Sequence, residues 1–388
     1  MRAALEGIRV LELGQWIAAP SCSAILSDLG ADVIKSEKLS GDDQRGTPPH
    51  RGALGATFAT VNRNKRSIAL DFRRAEDCEA LVALASQADV VIENYRPGTL
   101  APYGLDYTTL SRLNPKLIYC SISGFGQTGP LARTGAFDIV AQAMSGLMAL
   151  NGPTETKAWR LPMPIADVAA GLYAAIGILA ALQGRAVTGV GQQVDVTLLE
   201  SALSFGFMEA SSCLMTGEEP HKLGAFARNA APYQVFAAQD RTFVVAAAGQ
   251  ELWTSLCRCI GRTELLEDER FSTPALRLQH NGALEHELAH TLATRKADDW
   301  LALLAAASIP SAPILSIAEV LEHEQLAAQQ AVVPVRDTEV SGAQRILANP
   351  VHLSGTPLRM PSRAPLLDEH RDAVLQAVRE RRWPTLPG

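Results

Sequence analysis

Through the first third of the chain, short apolar runs alternate with stretches of helical spacing. IRVLEL (8–13), ADVIKSE (31–37), DVVIENY (89–95) and KLIYCSISGFG (116–126) have the length and apolar content of buried strands. Between them, PSCSAILSDLG (20–30), stopped by Gly30, and AEDCEALVALASQA (75–88) read as helices. Strand and helix in alternation predict an α/β fold with a parallel sheet.

The most apolar stretch is LPMPIADVAAGLYAAIGILAALQG (161–184). Val168, Leu172, Ile176, Leu179 and Leu182 recur at helical spacing and predict an apolar stripe, with Gly184 near the C-cap. The stretch 168–182 is shorter than the roughly 20 residues that span a bilayer, so a buried helix is expected, not a membrane anchor. Asp167 comes just before the stripe, where the helix N-cap is its default role. A carboxylate there is held anionic by the helix dipole and free N–H groups, and an anionic carboxylate shielded from water is a nucleophile. Capping and chemistry are therefore compatible readings of Asp167. Gly171 and Gly177 allow another backbone or a thin ligand to come close.

Farther on, QQVDVTLLESALSF (192–205) reads as a strand turning into a helix that extends toward Met215. TGEEPHKLGAFARNAAPY (216–233) lacks periodicity and reads as a linker or lid. RTFVVAAAG (241–249) opens a second unit, with helices near 250–261, 282–293, 296–307 and 316–329. A Pro-rich extended tail (348–370) leads into a helix at 371–381.

Composition narrows the class. The 388 residues, 47% hydrophobic and 20% charged, suit one large or two ordinary domains with ample core. A net charge of -6 argues against a general nucleic-acid role. The cysteines, at 22, 78, 120, 213, 257 and 259, are scattered and suggest neither a disulfide framework nor a zinc ribbon. They are expected to be reduced thiols in a cytoplasmic protein. MRAALEGIRVLELG runs straight into a strand pattern without signal-peptide character.

Three motifs carry candidate chemistry. The first strand-to-helix turn, LELGQWIAAP, has Gly14 alone, followed by Gln15, Trp16 and Ile17. It lacks the glycines that let a pyrophosphate approach backbone, which disfavours a nicotinamide enzyme, but a strand-end loop of this kind is still a ligand site. NRNKRSIALDFRR (62–74) gathers Arg63, Lys65, Arg66, Arg73 and Arg74, which is either a solvated face or a phosphate-binding patch. HELAH (286–290) matches the zinc-peptidase helix pattern, but no third ligand follows at the usual spacing, and no metal site is expected.

Taken together, several ordered blocks resemble the family III CoA-transferases, the group of formyl-CoA:oxalate and carnitine CoA-transferases. The blocks are GIRVLELGQWIAAPSCSAILSDLGADVIKSEK (7–38), NRNKRSIALDFR (62–73), DVVIENYRPGTLAPYGL (89–105), LIYCSISGFGQTGP (117–130), PMPIADVAAGLYAAIGILAAL (162–182), TGVGQQVDVTLLESAL (188–203), IPSAPILSIAEVL (309–321) and APLLDEH (364–370). The resemblance implies a Rossmann-like large domain over 1–215, completed by 330–388, a linker or lid at 216–233 and a smaller α/β domain over 234–329. It also implies a homodimer of two interlocked, ring-like subunits. Acyl-CoA and free carboxylic acids would be the substrates, with no tightly bound cofactor and no nucleic-acid or membrane partner.

Residue by residue, the resemblance makes Asp167 the nucleophile, acylated to a mixed anhydride and then to an aspartyl-CoA thioester. Ile17 and Ala18 match the loop along the thioester and pantetheine, and Lys38, Leu70 and Arg73 match contacts at the adenine nucleotide end. Asn94, Tyr95 and Arg96 match a further CoA-contacting loop. Asp138 matches an acidic residue near the reacting centre.

There are departures. Formyl-CoA:oxalate enzymes have Gln where this chain has Ile17, an Arg at Pro102 and a Lys at Gly135, and their glycine-rich lid is matched by ARNAA (227–231). Apolar Trp16, Ile17 and Phe137 point to an acid less polar than oxalate; short dicarboxylic or branched acids are what the resemblance offers. The family also holds α-methylacyl-CoA racemases, whose catalytic His falls where this chain has Phe137, a side chain that cannot take a proton. Transferase, racemase and a non-enzymatic acyl-CoA binder are the readings carried forward, in that order.

Overall fold

The computed structural model describes residues 2–51, 54–335 and 345–384. The chain divides into two compact units, one of Met1–Met148, Arg160–Glu219 and Glu324–Gly388, the other of Ala149–Trp159 and Pro220–His323. Residues 149–159 thus group with the second unit although they lie in the span expected for the first.

The first unit is built on six strands: β1 (Arg9–Glu12), β2 (Asp32–Glu37), β3 (Arg66–Ala69), β4 (Val90–Glu93), β5 (Ile118–Ser123) and β6 (Gln193–Thr197). All neighbouring pairs are parallel, in the order β3-β2-β1-β4-β5-β6. Chain direction across the sheet reverses between β1 and β4, which creates the strand-end crevice where ligands bind in doubly wound folds. Alternate side chains serve two separate cores. Val10, Val33, Val90 and Ile92 join helices α1 (Ala18–Asp28) and α4 (Ile165–Thr188). Leu11, Ile34, Ile68 and Val91 join α2 (Ala75–Gln87) and the C-terminal helix Arg371–Arg379. Burial on both faces explains why the strands read as continuous apolar runs. Two shorter helices, α3 (Asp138–Met144) and α5 (Leu198–Leu203), also pack against α4.

α4 corrects three expectations. It runs for 24 residues, long and apolar enough by composition to cross a membrane, with 44% of its most apolar window buried in the fold. Gly184 is interior to it, and the left-handed Gly189 (φ 75°) ends it. Its buried face is the small one, Ala166, Ala169, Ala170, Gly171, Ala174, Ala175, Ile178 and Ala181. Val168, Leu172 and Ile176 of the predicted stripe face outward, Ile176 with 60% of its surface exposed. The small residues let α4 close on α1: a Cβ at Gly171 would stand 2.9 Å from the Ala18 carbonyl oxygen and 3.0 Å from the Ser21 Cβ. At Gly177 the neighbour is the Val194 side chain. Neither glycine makes room for a ligand. The helix expected to run on toward Met215 breaks at Ser204–Gly206 into α5 and α6 (Phe207–Thr216).

The basic cluster is internal, which overturns both the solvated-face and the phosphate-patch readings for most of its members. Lys65 donates to Glu12 Oε2 (2.8 Å), the Pro20 carbonyl (2.9 Å) and Asn62 Oδ1 (3.0 Å), all buried. Lys35 donates to Glu12 Oε1 (2.8 Å) and the Gly14 carbonyl (2.9 Å), and pairs with Asp42 at 3.0 Å. Arg63 pairs with Asp28, and Arg66 with Asp32. Only Arg73 and Arg74 of the cluster are exposed. APLLDEH is also structural. Asp368 accepts the Ala69 N–H (2.7 Å) and His370 Nδ1 the Ser67 N–H (3.2 Å), satisfying the open edge of β3.

In the second unit, β7 (Tyr233–Ala237), β8 (Thr242–Ala246) and β9 (Ser311–Pro313) form an antiparallel sheet. β7 lies at the end of the stretch expected to be linker, from Tyr233 on. Helices α7 (Gln250–Cys259), α8 (Asn281–Leu292) and α9 (Ala297–Ala306) supply Trp253, Leu288 and Trp300 to its core. All six cysteines are free thiols.

Burial pushes the Glu12 carboxyl up, but Lys35 and Lys65 outweigh it and hold it down at about 2. This contribution to stability is present above the ordinary value of 4.5 and is lost as pH falls toward 2. Lys65→Met leaves one Glu12 oxygen without its cation and is expected to lower the unfolding free energy by about 3–5 kcal/mol. Exposed Arg74→Ala should change it by less than about 0.5 kcal/mol. Urea denaturation of the two variants checks this; equal midpoints would sink it.

Candidate active site

The loops that follow β1 and β4 face each other across the strand-order reversal. Asn94 closes the gap: its Oδ1 accepts the Gln15 N–H (2.9 Å) and its Nδ2 donates to the Gln15 carbonyl (2.8 Å). The next residue, Trp16, is held at φ 65°, and its N–H donates to the Asp42 carboxylate (3.2 Å to Oδ2). A bulky residue in that region costs on the order of 1–3 kcal/mol, so the surrounding bonds must hold it there. The loop then enters α1, whose N-cap residue, Ile17, has no side-chain acceptor for the first N–H groups.

These loops, the β5 end and the starts of α1, α3, α4 and α5 line a cavity of about 850 Å³. Ile17, Ala18, Asn94, Tyr95, Arg96, Asp138 and Asp167 all face it. Gln15, Asp43, Tyr95 and Thr99 also line an adjoining cavity of about 450 Å³, with Lys38, Leu70 and Arg73 on its walls. Every residue that the family resemblance assigns to the site therefore lies in one continuous region at the carboxyl edge of the sheet.

Asp167 is not the N-cap. Pro164 occupies that position, and Asp167 is the third residue of α4, in its first turn. The helix start is capped from outside: Asp138 Oδ1 accepts the Ala166 N–H at 2.9 Å, while Oδ2 accepts from Gln142 Nε2 at 2.7 Å. Gln142 in turn accepts the Leu161 N–H (3.0 Å) and donates to the Met163 carbonyl (3.2 Å), fixing the chain that leads into α4. Asp167 is half-buried, and among the described residues its carboxylate has no hydrogen-bond partner. Burial first, and the Asp138 charge second, push its carboxyl up to about 7. The expectation that the helix terminus holds Asp167 anionic is thus corrected. The Ala166 N–H is taken by Asp138, and desolvation dominates the Asp167 carboxyl. Once ionised, such an oxygen is weakly solvated, unpaired and open to a cavity.

Two of the candidate cations are engaged in short-range pairs, Arg73 with both oxygens of its partner. Lys38 pairs with Asp43 and Arg73 with Asp71, both near the surface. An exposed pair such as Lys38–Asp43 is worth about 0–1 kcal/mol. Arg96 lies over Gly135, where a Cβ would come within 2.5 Å of its Nη2. The absent side chain at 135 is what makes room for that guanidinium. Phe137 lines the cavity with 71% of its surface exposed.

In the second unit, His286 and His290 share a face of α8, but Glu287 is paired with Arg262 at 2.7 Å. Among the described residues no group of three or more His, Cys, Asp or Glu side chains is placed to hold a metal. ARNAA also belongs to that unit, where buried Arg277 donates to the Ala231 carbonyl (3.2 Å). Sequence reasoning passed over Gln142 and Arg160. Gln142 sits one helical turn after Asp138, a spacing that puts the two on one face. Arg160 is the last charge before the Pro164 helix start.

Residues 5–371 match the family described as CoA-transferase family III. The chain is 37% identical to acetyl-CoA:oxalate CoA-transferase of Acetobacter aceti, covering 95% of this chain and 94% of that protein. It is 36% identical to succinate–glutarate CoA-transferase of Agrobacterium fabrum, covering 96% and 94%. Among solved structures it is similar to a CAIB/BAIF family protein from Brucella suis, with a TM-score of 0.87, 37% identity and coverage of 97% and 100%.

The Asp138–Asp167 geometry has a measurable consequence. In ¹³C NMR the Asp167 carboxyl should titrate near pH 7 and move down toward the ordinary carboxylate range in Asp138→Asn, which removes the neighbouring charge. An unchanged midpoint in that variant would refute the coupling.

Proposed function

The chain belongs to CoA-transferase family III, and from that membership we propose that it moves CoA between carboxylic acids by covalent acylation of Asp167. The observation that carries this reading is the unpaired, half-buried Asp167 carboxylate in an 850 Å³ cavity continuous with the one lined by Lys38, Leu70 and Arg73. In the first step an Asp167 oxygen attacks the acyl carbon of the donor thioester. The C–S bond breaks, leaving a mixed anhydride and CoA thiolate. The thiolate then attacks the Asp167 carbonyl carbon, expels the donor acid as its carboxylate and forms an aspartyl-CoA thioester. The acceptor carboxylate attacks that thioester, giving a second anhydride and thiolate again. Attack of the thiolate on the acceptor's acyl carbon yields the new acyl-CoA and restores Asp167. No redox partner is needed and every proton stays in place.

Each tetrahedral oxyanion needs donors. The uncapped N–H groups at the start of α1, by Ala18, provide them where the helix dipole adds positive potential. Trp16, Ile17, Phe137, Ile139 and Leu198 give the cavity an apolar lining that makes it a poor site for water able to hydrolyse an anhydride. Lys38, Leu70 and Arg73 take the nucleotide end of CoA, and Asn94, Tyr95 and Arg96 the pantetheine approach. Asp138 positions the α4 start. The acids named for the two relatives, oxalate, succinate and glutarate, each carry two carboxyl groups, and we assign short dicarboxylic acids to this chain. The racemase reading has no proton acceptor at Phe137.

A second copy of the chain is part of the proposal. α6 buries none of its residues, and Phe207, Leu214 and Met215 stand exposed, as do Val168, Leu172 and Ile176 of α4. An uncovered apolar surface of that kind marks an interface. Sedimentation should give twice the 41.5 kDa chain mass; a stable monomer at micromolar concentration would count against it.

Asp167→Ala should abolish transfer, and hydroxylamine quenching followed by mass spectrometry should place the modification on Asp167 in the native enzyme. Because a carboxyl with a raised pKa is protonated below that value, the transfer rate should climb with pH through about 7. Substantial turnover by Asp167→Ala would sink the assignment.

A further inference from the structure

The cavity around Asp167 contains a cation that neither the fold nor the acyl-transfer steps use. Two guanidinium groups line it, Arg96 and Arg160. Arg96 is lodged against Gly135. Arg160 has no such seat. Among the described residues its ion-pair partner is Asp138, with Nη2 4.0 Å from Oδ2, beyond hydrogen-bond reach. Both Asp138 oxygens already accept hydrogen bonds, from Ala166 and Gln142. The backbone beside Arg160 is nevertheless fixed, because the Leu161 N–H and the Met163 carbonyl bond to Gln142. The result is a charged, exposed side chain on an anchored base, with its donors unspent, in the cavity that contains the nucleophile.

We propose that Arg160 binds the remote carboxylate of a dicarboxylic acid while the other carboxyl exchanges at Asp167, and that Arg160 therefore selects dicarboxylic over monocarboxylic acids. The inference rests on the reading of Asp167 as the nucleophile. An acid that arrives with two negative charges meets Asp138, Asp167 and Asp43 on the same cavity walls. Without a cation at its far end, a second carboxylate would only add repulsion. A guanidinium answers this with two parallel N–H donors that match the two carboxylate oxygens, which a point charge does less well. The remaining walls by Asp167, Ile17, Phe137 and Leu198, suit the methylene chain between the carboxyls.

The test compares acceptors of equal length, glutarate and adipate against pentanoate and hexanoate, with succinyl-CoA as donor. In double displacement, kcat/KM for the acceptor belongs to the second half-reaction, so the donor's own carboxylate cancels. The wild-type enzyme should favour at least one dicarboxylate over its monocarboxylic counterpart. Arg160→Met should lower kcat/KM for that dicarboxylate by about tenfold to a hundredfold, leave the monocarboxylate within about threefold, and Arg160→Lys should fall between. The pH profile with the monocarboxylate should not move, which separates recognition of the acid from a disturbed Asp138–Asp167 pair. Equal losses on both acids, no loss on either, or a wild-type enzyme that accepts none of the dicarboxylates would overturn the proposal. The two readings fail separately: transfer by Asp167→Ala removes the nucleophile, whereas a trapped Asp167 adduct with an unchanged acid ratio in Arg160→Met removes only this inference.

Discussion

One buried carboxylate holds the carboxyl edge of the sheet together. Glu12, the last residue of β1, has no exposed surface and receives an ammonium group on each oxygen, Lys35 from β2 and Lys65 from the turn before β3. The same two lysines also bond the Gly14 and Pro20 carbonyls, and Ser23 of α1 donates to Glu12 as well. Two strand ends, the turn before β3, the loop after β1 and the first turns of α1 thus meet at a single charge. Unpaired, any member would cost several kcal/mol in that environment, so the ions rigidify the loop through the penalty for separation more than through net stabilisation. The strained Trp16 and the Asn94 clamp on Gln15 are tenable because this base does not move.

A second constraint acts from the other side of the cavity. α4 must approach α1 closely, and its Ala/Gly face allows that. Its N-terminus then needs an acceptor, which Asp138 supplies from a different helix. The cost falls on Asp167: it sits beside a like charge, partly out of water, with no donor of its own, and its ionisation shifts upward. A cap residue would have been satisfied and inert. A third-position carboxylate whose cap is provided elsewhere is left with unpaired oxygens. The structure therefore separates two things that look identical in sequence, a carboxylate that holds a helix terminus and one left unpaired at a cavity.

The basic stretch NRNKRSIALDFRR shows the same separation. On a linear reading, five cations invite a phosphate. Folding spends Arg63, Lys65 and Arg66 on Asp28, Glu12 and Asp32, and leaves Arg73 with Lys38 at the adjoining cavity. Ion-pair partners far apart in the chain, such as Lys65 with Glu12, carry no local signature.

By itself the sequence determined the α/β class, because strands buried on both faces need unbroken apolar runs and helices between them need a period near four residues. It also marked the loop after β1, since strand-end loops are where such sheets bind ligands, while Asp167 as more than a cap and the loop after β4 came from the family resemblance. Only the tertiary structure decided that Asp138 caps α4 and that Arg160 stands in the same cavity as Asp167. It also decided that the large residues Val168, Leu172 and Ile176 face outward while alanines face in. The reason is physical. Periodicity states that a helix has two faces but not how near its neighbour lies, and the distance to α1 selects the small face for burial. Charge pairing likewise depends on which strand ends become neighbours, a quantity fixed by sheet order and absent from any local window.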